Sequence, residues 1–404
     1  MKSLKSLNGF NDLNDLMDLI QRSLERLEEW IEGNLWMGFD PHDALNSPIL
    51  RHLSFGNRIL GILFLQSLKR CPVNVRLLLG IKKGYNPKGM GLFLSGYLKK
   101  HQLTGDKSDM AKAEFFIKWI RENSSKGYNG YCWGYNFDWP NRSFFAPAGT
   151  PTAVNTSFIG SAFVDAYEIT GRKELLDVAR SACDFLLEDL NIISNDKGTY
   201  FSYTPLDKRC VHNVNALVAA LLAKVHSHSG EAELLGYARE AMNFTISCQH
   251  PDGSWPYGEG RTEHWIDNFH TGFVLEALAD FISYSGINDF ARQLQIGYCF
   301  FRDNFFYDGA PKYYHDRLYP IDIHSVAQAV LTFLKLRKLD PQALSMAHKI
   351  AAWGIGNMQD ATGYFHYQIH RFYRIKIPYI RWGQAWMYKA LANLIMEENN
   401  ERLG

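Results

Sequence analysis

The segment SFIGSAFVDAYEITGRKELLDVARSACDFLLEDL, residues 157–190, is apolar on nearly every side up to its break at Gly171, then resumes with charge on one face only. A helix without a broad polar face is buried on several sides, whereas one with an apolar stripe lies at a surface. The segment therefore reads as a buried helix, a left-handed glycine cap and an outer helix returning along it. The break recurs at HQLTG ending at Gly105, HSHSG at Gly230 and ISYSG at Gly286, giving spacings of 66, 59 and 56 residues. Apolar runs precede these caps and amphipathic runs follow them, as expected of a repeat architecture.

A second punctuation mark follows each outer helix: NGYCW at Asn129, DKGTYF at Asp196, DGSW at Asp252, DGAPKYY at Asp308 and TGYF at Thr362, each a glycine turn leading into aromatics. Together the marks place buried helices near 88–103, 154–169, 213–228, 268–284, 322–337 and 380–396. Outer helices fall near 107–122, 173–190, 231–247, 287–303 and 341–357, with N-terminal helices near 11–32 and 55–69. The expected fold is all-α, an (α/α)6 toroid of six helical hairpins over residues 76–404, with residues 1–75 as a helical extension packing on the ring. No strand–helix alternation suggests a parallel sheet. GFDPHDALNSP, residues 38–48, would either lid the ring or pack outside it.

Composition narrows the function. Forty-three Lys plus Arg balance 42 Asp plus Glu across 404 residues, leaving a net charge of +1, and no basic stripe follows a duplex, so no nucleic acid partner is expected. Aromatics make up 14% of the chain, with 21 Tyr and 10 Trp. Such rings fill cores and also stack on sugars. Six cysteines lack CxxC or metal-ligand spacing, which points to free thiols in a reducing compartment. With neither an apolar leader at the N-terminus nor eighteen uninterrupted apolar residues anywhere, the chain reads as cytoplasmic. The basic, apolar stretch 59–83 could touch a membrane surface or a biosynthetic complex, but a buried helix followed by a basic loop is the expectation.

In a ring of hairpins all inner helices run the same way, so their N-termini meet at one mouth, where unsatisfied N–H groups and positive dipole ends favour ligands. The polar groups at these starts are Lys88; Asn155; His212, Asn213 and Asn215; Asp267, Asn268 and His270; Asp322 and His324; and Arg381, Trp382 and Gln384. Capping alone would account for Asn155, Asp267 and Asp322, but not for three histidines at one end of the ring. Imidazole exchanges protons near neutral pH, so His212, His270 and His324 are candidate acids or bases, with Asp267, Asp322, Tyr314 and Glu259 beside them. Candidate substrate-binding residues are Asp138, Trp139, Asn155, Asn213, Trp255, His264, His366, Arg381 and Trp382. None of these three histidines has the i, i+4 spacing of a helical metal site, and no cofactor or metal is expected. G-x-S-x-G and Walker motifs are absent from the chain.

Two resemblances follow from these residues. AMNFTISCQHPDGSW, residues 241–255, resembles the Gln–Trp repeat of squalene and hopene cyclases, with Gln359 and Gly363 as a degenerate second copy. This implies a toroid whose repeat staples helices together, while the DxDD acid motif of that chemistry is missing. GFDPHDALNSP, GYNPKGMGLFLSGYL, YNFDWPNRSFFAPAGTPTAVNTSF and NFHTGFVLEALADF resemble an uncharacterised family of bacterial exopolysaccharide and lipopolysaccharide gene clusters. More distantly the design is similar to N-acylglucosamine 2-epimerase-like isomerases, heparinase-type lyases and unsaturated glucuronyl hydrolases. The resemblance implies a saccharide substrate, a poly- or oligosaccharide; whether it is linked to a lipid or a nucleotide stays open. Four functions stay open: proton transfer on a sugar (epimerase or lyase), glycoside hydrolysis by paired carboxylates, a non-catalytic saccharide- or isoprenoid-binding toroid, and a terpenoid cyclase-like enzyme.

Overall fold

The computed structural model describes residues 13–141 and 145–403; the first two positions of the helix expected near 11–32 lie outside them. From the N-terminus come α1 (Leu13–Gly33), α2 (Pro48–Leu53) and α3 (Arg58–Arg70). Hairpins follow: α4 (Pro87–Thr104) with α5 (Lys107–Glu122), α6 (Ala153–Thr170) with α7 (Lys173–Glu188), and α8 (His212–Ser229) with α9 (Ala232–Ser247). Then come α10 (Asn268–Ser285) with α11 (Ala291–Asn304), α12 (Ile323–Lys335) with α13 (Ala343–Met358), and α14 (Trp386–Leu403), which is preceded by a π-helical turn, Ile380–Ala385. Helices α4, α6, α8, α10, α12 and α14 pack in that order, and α14 closes the ring against α4. This is the (α/α)6 toroid, and its strands are short hairpins in the connecting loops.

The glycine caps form as the sequence requires. Gly105, Gly171, Gly230 and Gly286 all hold φ between 68° and 76°, where an L side chain is strained. The aromatic turns do a different job. At Gly198 and Gly253 an added Cβ would fall 2.6 Å from the Glu240 carbonyl oxygen and 2.5 Å from that of Ile296, and at Gly130 it would collide with the Ser181 carbonyl. Each turn thus lies directly on the backbone of the next outer helix. Gln249 fastens one of them, donating through Nε2 to the Gly253 carbonyl (3.1 Å) and to that of Gln293 (3.0 Å).

The same contact identifies the sixth outer helix. A Cβ on Gly363 would collide with the carbonyl of Arg26, and Gln359 Nε2 donates to Gly363 (2.8 Å) and to Ser23 (3.0 Å). Helix α1 therefore stands outside α14, so the two ends of the chain form the last hairpin. Ile20, Leu24, Leu27 and Ile31 are buried along its inner side.

Residues 34–85 cross the mouth as a strap. Helix α3 is not the buried helix expected near 55–69: Gly61, Leu65 and Leu68 are covered, while Ile59 and Leu63 face outward. It lies over the open end of the ring, so solvent remains on its far side.

Candidate active site at the mouth of the ring

The strap is anchored by charge. Arg381 Nε and Nη2 donate to the two oxygens of Asp40 at 2.6 and 2.8 Å, with both side chains buried. Burial opposes ionisation of Asp40, but the Arg381 guanidinium outweighs it and holds the carboxyl well below the usual range. Arg76, fully buried, likewise donates to Asp43 at 2.8 and 3.1 Å. His42 lies between Asp40 (3.3 Å) and Lys69 Nζ (3.5 Å), and burial together with Lys69 lowers its pKa to about 4. Burial also lowers the pKa of Lys69, whose ammonium lies 5.3 Å from the ring centre of Trp382.

Between strap and ring opens a cavity of about 500 Å³. Its walls include Lys69 and Arg70 from α3, Trp139, the Arg209–Glu263 pair (2.7 Å), Tyr257, Trp265, His270, Tyr313 and Tyr314. A cleft of about 610 Å³ lies elsewhere, outside the ring between α1 and α13. Tyr257 and Trp265 stack with centroids 4.5 Å apart, and His270 leans against Tyr257 at 4.6 Å. Burial raises the Tyr257 phenol to about 12 and also raises those of Tyr313 and Tyr314, so all three stay protonated at neutral pH.

His270 is held in one orientation. Its Nδ1 lies 2.7 Å from Asp267 Oδ2, which also accepts the Trp265 indole N–H at 2.9 Å, while Asp267 Oδ1 caps α10 by accepting the His270 backbone N–H at 3.0 Å. A carboxylate oxygen accepts, so Nδ1 is the ring nitrogen that donates, and in the neutral ring the lone pair is on Nε2. With the ring half-buried in the cavity wall, Nε2 is the nitrogen able to exchange a proton there.

The other histidines are placed differently. His324 is buried beneath the cavity, stacked on Phe269 (4.6 Å, 13°) and close to Trp386 (4.6 Å), with neither ring nitrogen hydrogen-bonded among the described residues. Burial, with Lys88 and Arg381 nearby, pushes its pKa well below the usual value and keeps it neutral. Lys88 is also buried, its ammonium 4.1 Å from the centre of the Phe158 ring, and burial takes its pKa well below the usual lysine value. His212 turns outward: Nε2 meets Glu259 at 2.8 Å and the ring lies beside Phe244 of α9. His212, Cys248 and Glu259 place one ligand atom each within 4.8 Å of one another, the group among the described residues able to hold a metal ion. They stand apart from the cavity wall.

Of the remaining candidates, Trp139 and Tyr314 reach the cavity. Asp322 is fully buried, accepting from Gln368 (2.6 Å), Trp382 Nε1 (2.9 Å) and the His324 backbone N–H (2.8 Å), and burial raises its pKa to about 6. Trp255 is a core residue donating to the Thr245 carbonyl, so it belongs to the staple. Asp138 pairs with Arg51 (2.9 Å), and His366 lies 3.4 Å from Asp360 in an aromatic turn. Asn155 and Asn213 are buried in the first turns of α6 and α8, with Thr152 capping α6 in place of Asn155. His264 is exposed on the loop bearing Glu259. Lys69, Arg70, Arg209 and Glu263 line the cavity without having been singled out from sequence. For the first two the signal was a stretch, residues 44–105, that holds no acidic residue.

Solved structures share this ring. The chain is similar to an unsaturated glucuronyl hydrolase specific for heparin over 96% of its length and 98% of the other's, with 12% identity and a TM-score of 0.63. It is similar to the cellobiose 2-epimerase of Bacillus thermoamylovorans over 78% and 88%, with 12% identity and a TM-score of 0.61. A family 76 alpha-mannanase of Bacteroides thetaiotaomicron matches over 78% and 86%, with 14% identity and a TM-score of 0.58. Likeness at such identity is a likeness of fold, and it defines the class as the (α/α)6 toroid. No protein-family model and no curated protein sequence matches the chain.

Proposed function

We propose that the protein is a carbohydrate-active enzyme that moves a proton on a sugar or uronate ring, as an epimerase or lyase of bacterial polysaccharide biosynthesis or modification. The observation that carries this is His270, held by Asp267 with Nε2 toward a cavity walled by aromatic rings and cations. His270 would take the proton from the carbon beside a carbonyl or carboxylate, with Asp267 stabilising the imidazolium and Lys69 and Arg70 facing the developing anion. A phenol of Tyr257, Tyr313 or Tyr314 would return a proton on the other face, which inverts the centre. If the C–O bond to the β-substituent breaks instead, its oxygen taking the phenol's proton as it leaves, a double bond remains. Trp139, Trp265 and Tyr257 offer the apolar faces on which sugar rings stack.

Hydrolysis is less well supported. It needs two carboxyl groups roughly 5–10 Å apart across the bond, whereas the carboxylate among the described cavity-lining residues is Glu263, which Arg209 already holds. The segments resembling the polysaccharide-cluster family contain Asp40, His42, Lys88, Trp139 and His270, which are residues of the mouth and its support, and this supports a saccharide substrate. All six cysteines are unpaired, in keeping with a cytoplasmic enzyme.

The test is proton NMR of the protein in D2O with uronate-containing and neutral oligosaccharides. Deuterium entering a ring carbon, or a new vinyl proton, is expected, and either should vanish in His270→Gln. New reducing ends without exchange, unaffected by that variant, would replace proton transfer with hydrolysis.

A further inference from the structure

The strap has a second face. Eight of the seventeen exposed large apolar side chains among the described residues lie within residues 49–78, including Phe55 (78% exposed), Ile59 (73%), Leu77 (71%) and Leu78 (83%). They form one surface. Ser47 Oγ donates to the Leu79 carbonyl at 2.6 Å and Gly80 lies against Pro48, which sets the turn bearing Leu77 and Leu78 beside the start of α2. Phe55 occupies the turn from α2 to α3, and Ile59 and Leu63 continue one helical turn apart along the outer side of α3.

Charge tells what meets this surface. Residues 44–105 contain no aspartate or glutamate, although the chain has 42, whereas Arg51, Arg58, Arg70, Lys82 and Lys83 are exposed in the same segment. Apolar side chains projecting from turns and bordered mostly by basic residues, of which Arg51 is paired with Asp138, suit the boundary between lipid headgroups and acyl chains, where each basic residue gains from anionic phosphates. A patch of this kind on a water-facing surface calls for a partner. No helix among the described residues is long and apolar enough to cross a membrane, so contact through this face would be peripheral.

We propose that this face docks the toroid on an anionic lipid bilayer. Ile62, Leu65 and Lys69, on the flank of α3 next to its exposed stripe, line the cavity together with Gln66, so docking brings the mouth to the bilayer. Granting the saccharide reading of that cavity, the substrate is then a glycan carried on a membrane lipid, entering beside α3.

The experiment is co-sedimentation of the full-length protein with vesicles of phosphatidylcholine alone and of phosphatidylcholine with phosphatidylglycerol. Binding to the anionic vesicles is expected, at least tenfold tighter than to the neutral ones and weakened by salt. Leu77→Ser/Leu78→Ser and Lys82→Glu/Lys83→Glu should each reduce it about tenfold, with circular dichroism confirming that both variants remain folded. Equal or absent binding to the two vesicle types overturns the proposal, as does wild-type binding by both variants. If the Leu77/Leu78 variant instead abolishes a dimer seen by light scattering and vesicle binding is nil, the face joins two copies of the chain. No saccharide is present in this assay, so its failure and the failure of the enzymatic reading are told apart.

Discussion

His270 and His324 occupy the first turns of successive inner helices, yet only His270 lines the cavity. The difference lies in what surrounds each ring: His270 has a carboxylate behind it and a cavity before it, while His324 is enclosed by Phe269, Trp382 and Trp386. Helical periodicity places a residue at the mouth but does not say whether its side chain points to the axis, into the wall or back to the outer helix, as His212 does. The candidates were therefore legible as a group and not as individuals. Asp267→Asn isolates the dyad. Asparagine caps a helix as well as aspartate does, so the melting temperature should stay within a few degrees. Without the carboxylate the imidazolium loses its counter-charge and the tautomer is no longer fixed, so kcat should fall about 10²–10⁴-fold with little change in KM. An equal loss of thermal stability, or a rise in KM alone, would show that Asp267 only caps.

Between helices, two kinds of glycine punctuate the repeat and look alike in sequence. Gly105 at a cap has φ of 68° and no atom within 4 Å of an added Cβ, whereas Gly363 in an aromatic turn combines φ of 106° with a collision against the Arg26 carbonyl. Alanine at the first should cost about 1 kcal/mol in left-handed strain. At the second it must also push α1 away, raising the cost to roughly 2–4 kcal/mol. Denaturant unfolding of Gly105→Ala and Gly363→Ala measures both, and equal losses would mean that the turn does not clamp α1. The glycines were readable because each repeat spells them anew. Neither the pairing of Gln359 with Ser23 nor that of Asp40 with Arg381 was readable, since each joins the two ends of the chain without any local pattern.

Closure of the ring decides how a local injury spreads. In an open solenoid each repeat touches only its neighbours, and damage at one end leaves the other protected. Here α1 covers α14, α14 packs on both α12 and α4, and α8 is reached from either side. Leu24 and Leu27 are buried beneath α1, and each Leu→Ala change in such a core costs about 2–5 kcal/mol. Together they approach the whole stability of an ordinary domain. The double variant Leu24→Ala/Leu27→Ala should therefore lower amide protection in α8, on the far side of the ring, about as much as in α14, because the ring can no longer close and every inner helix loses a partner in turn. The mouth should suffer with it, since Arg381 and the strap it anchors belong to the turn leading into α14. Hydrogen exchange resolved by peptide distinguishes the cases: protection lost in α1, α13 and α14 but kept in α8 would mean that the hairpins melt one by one, and that the cavity is held by the strap instead of by the closed ring.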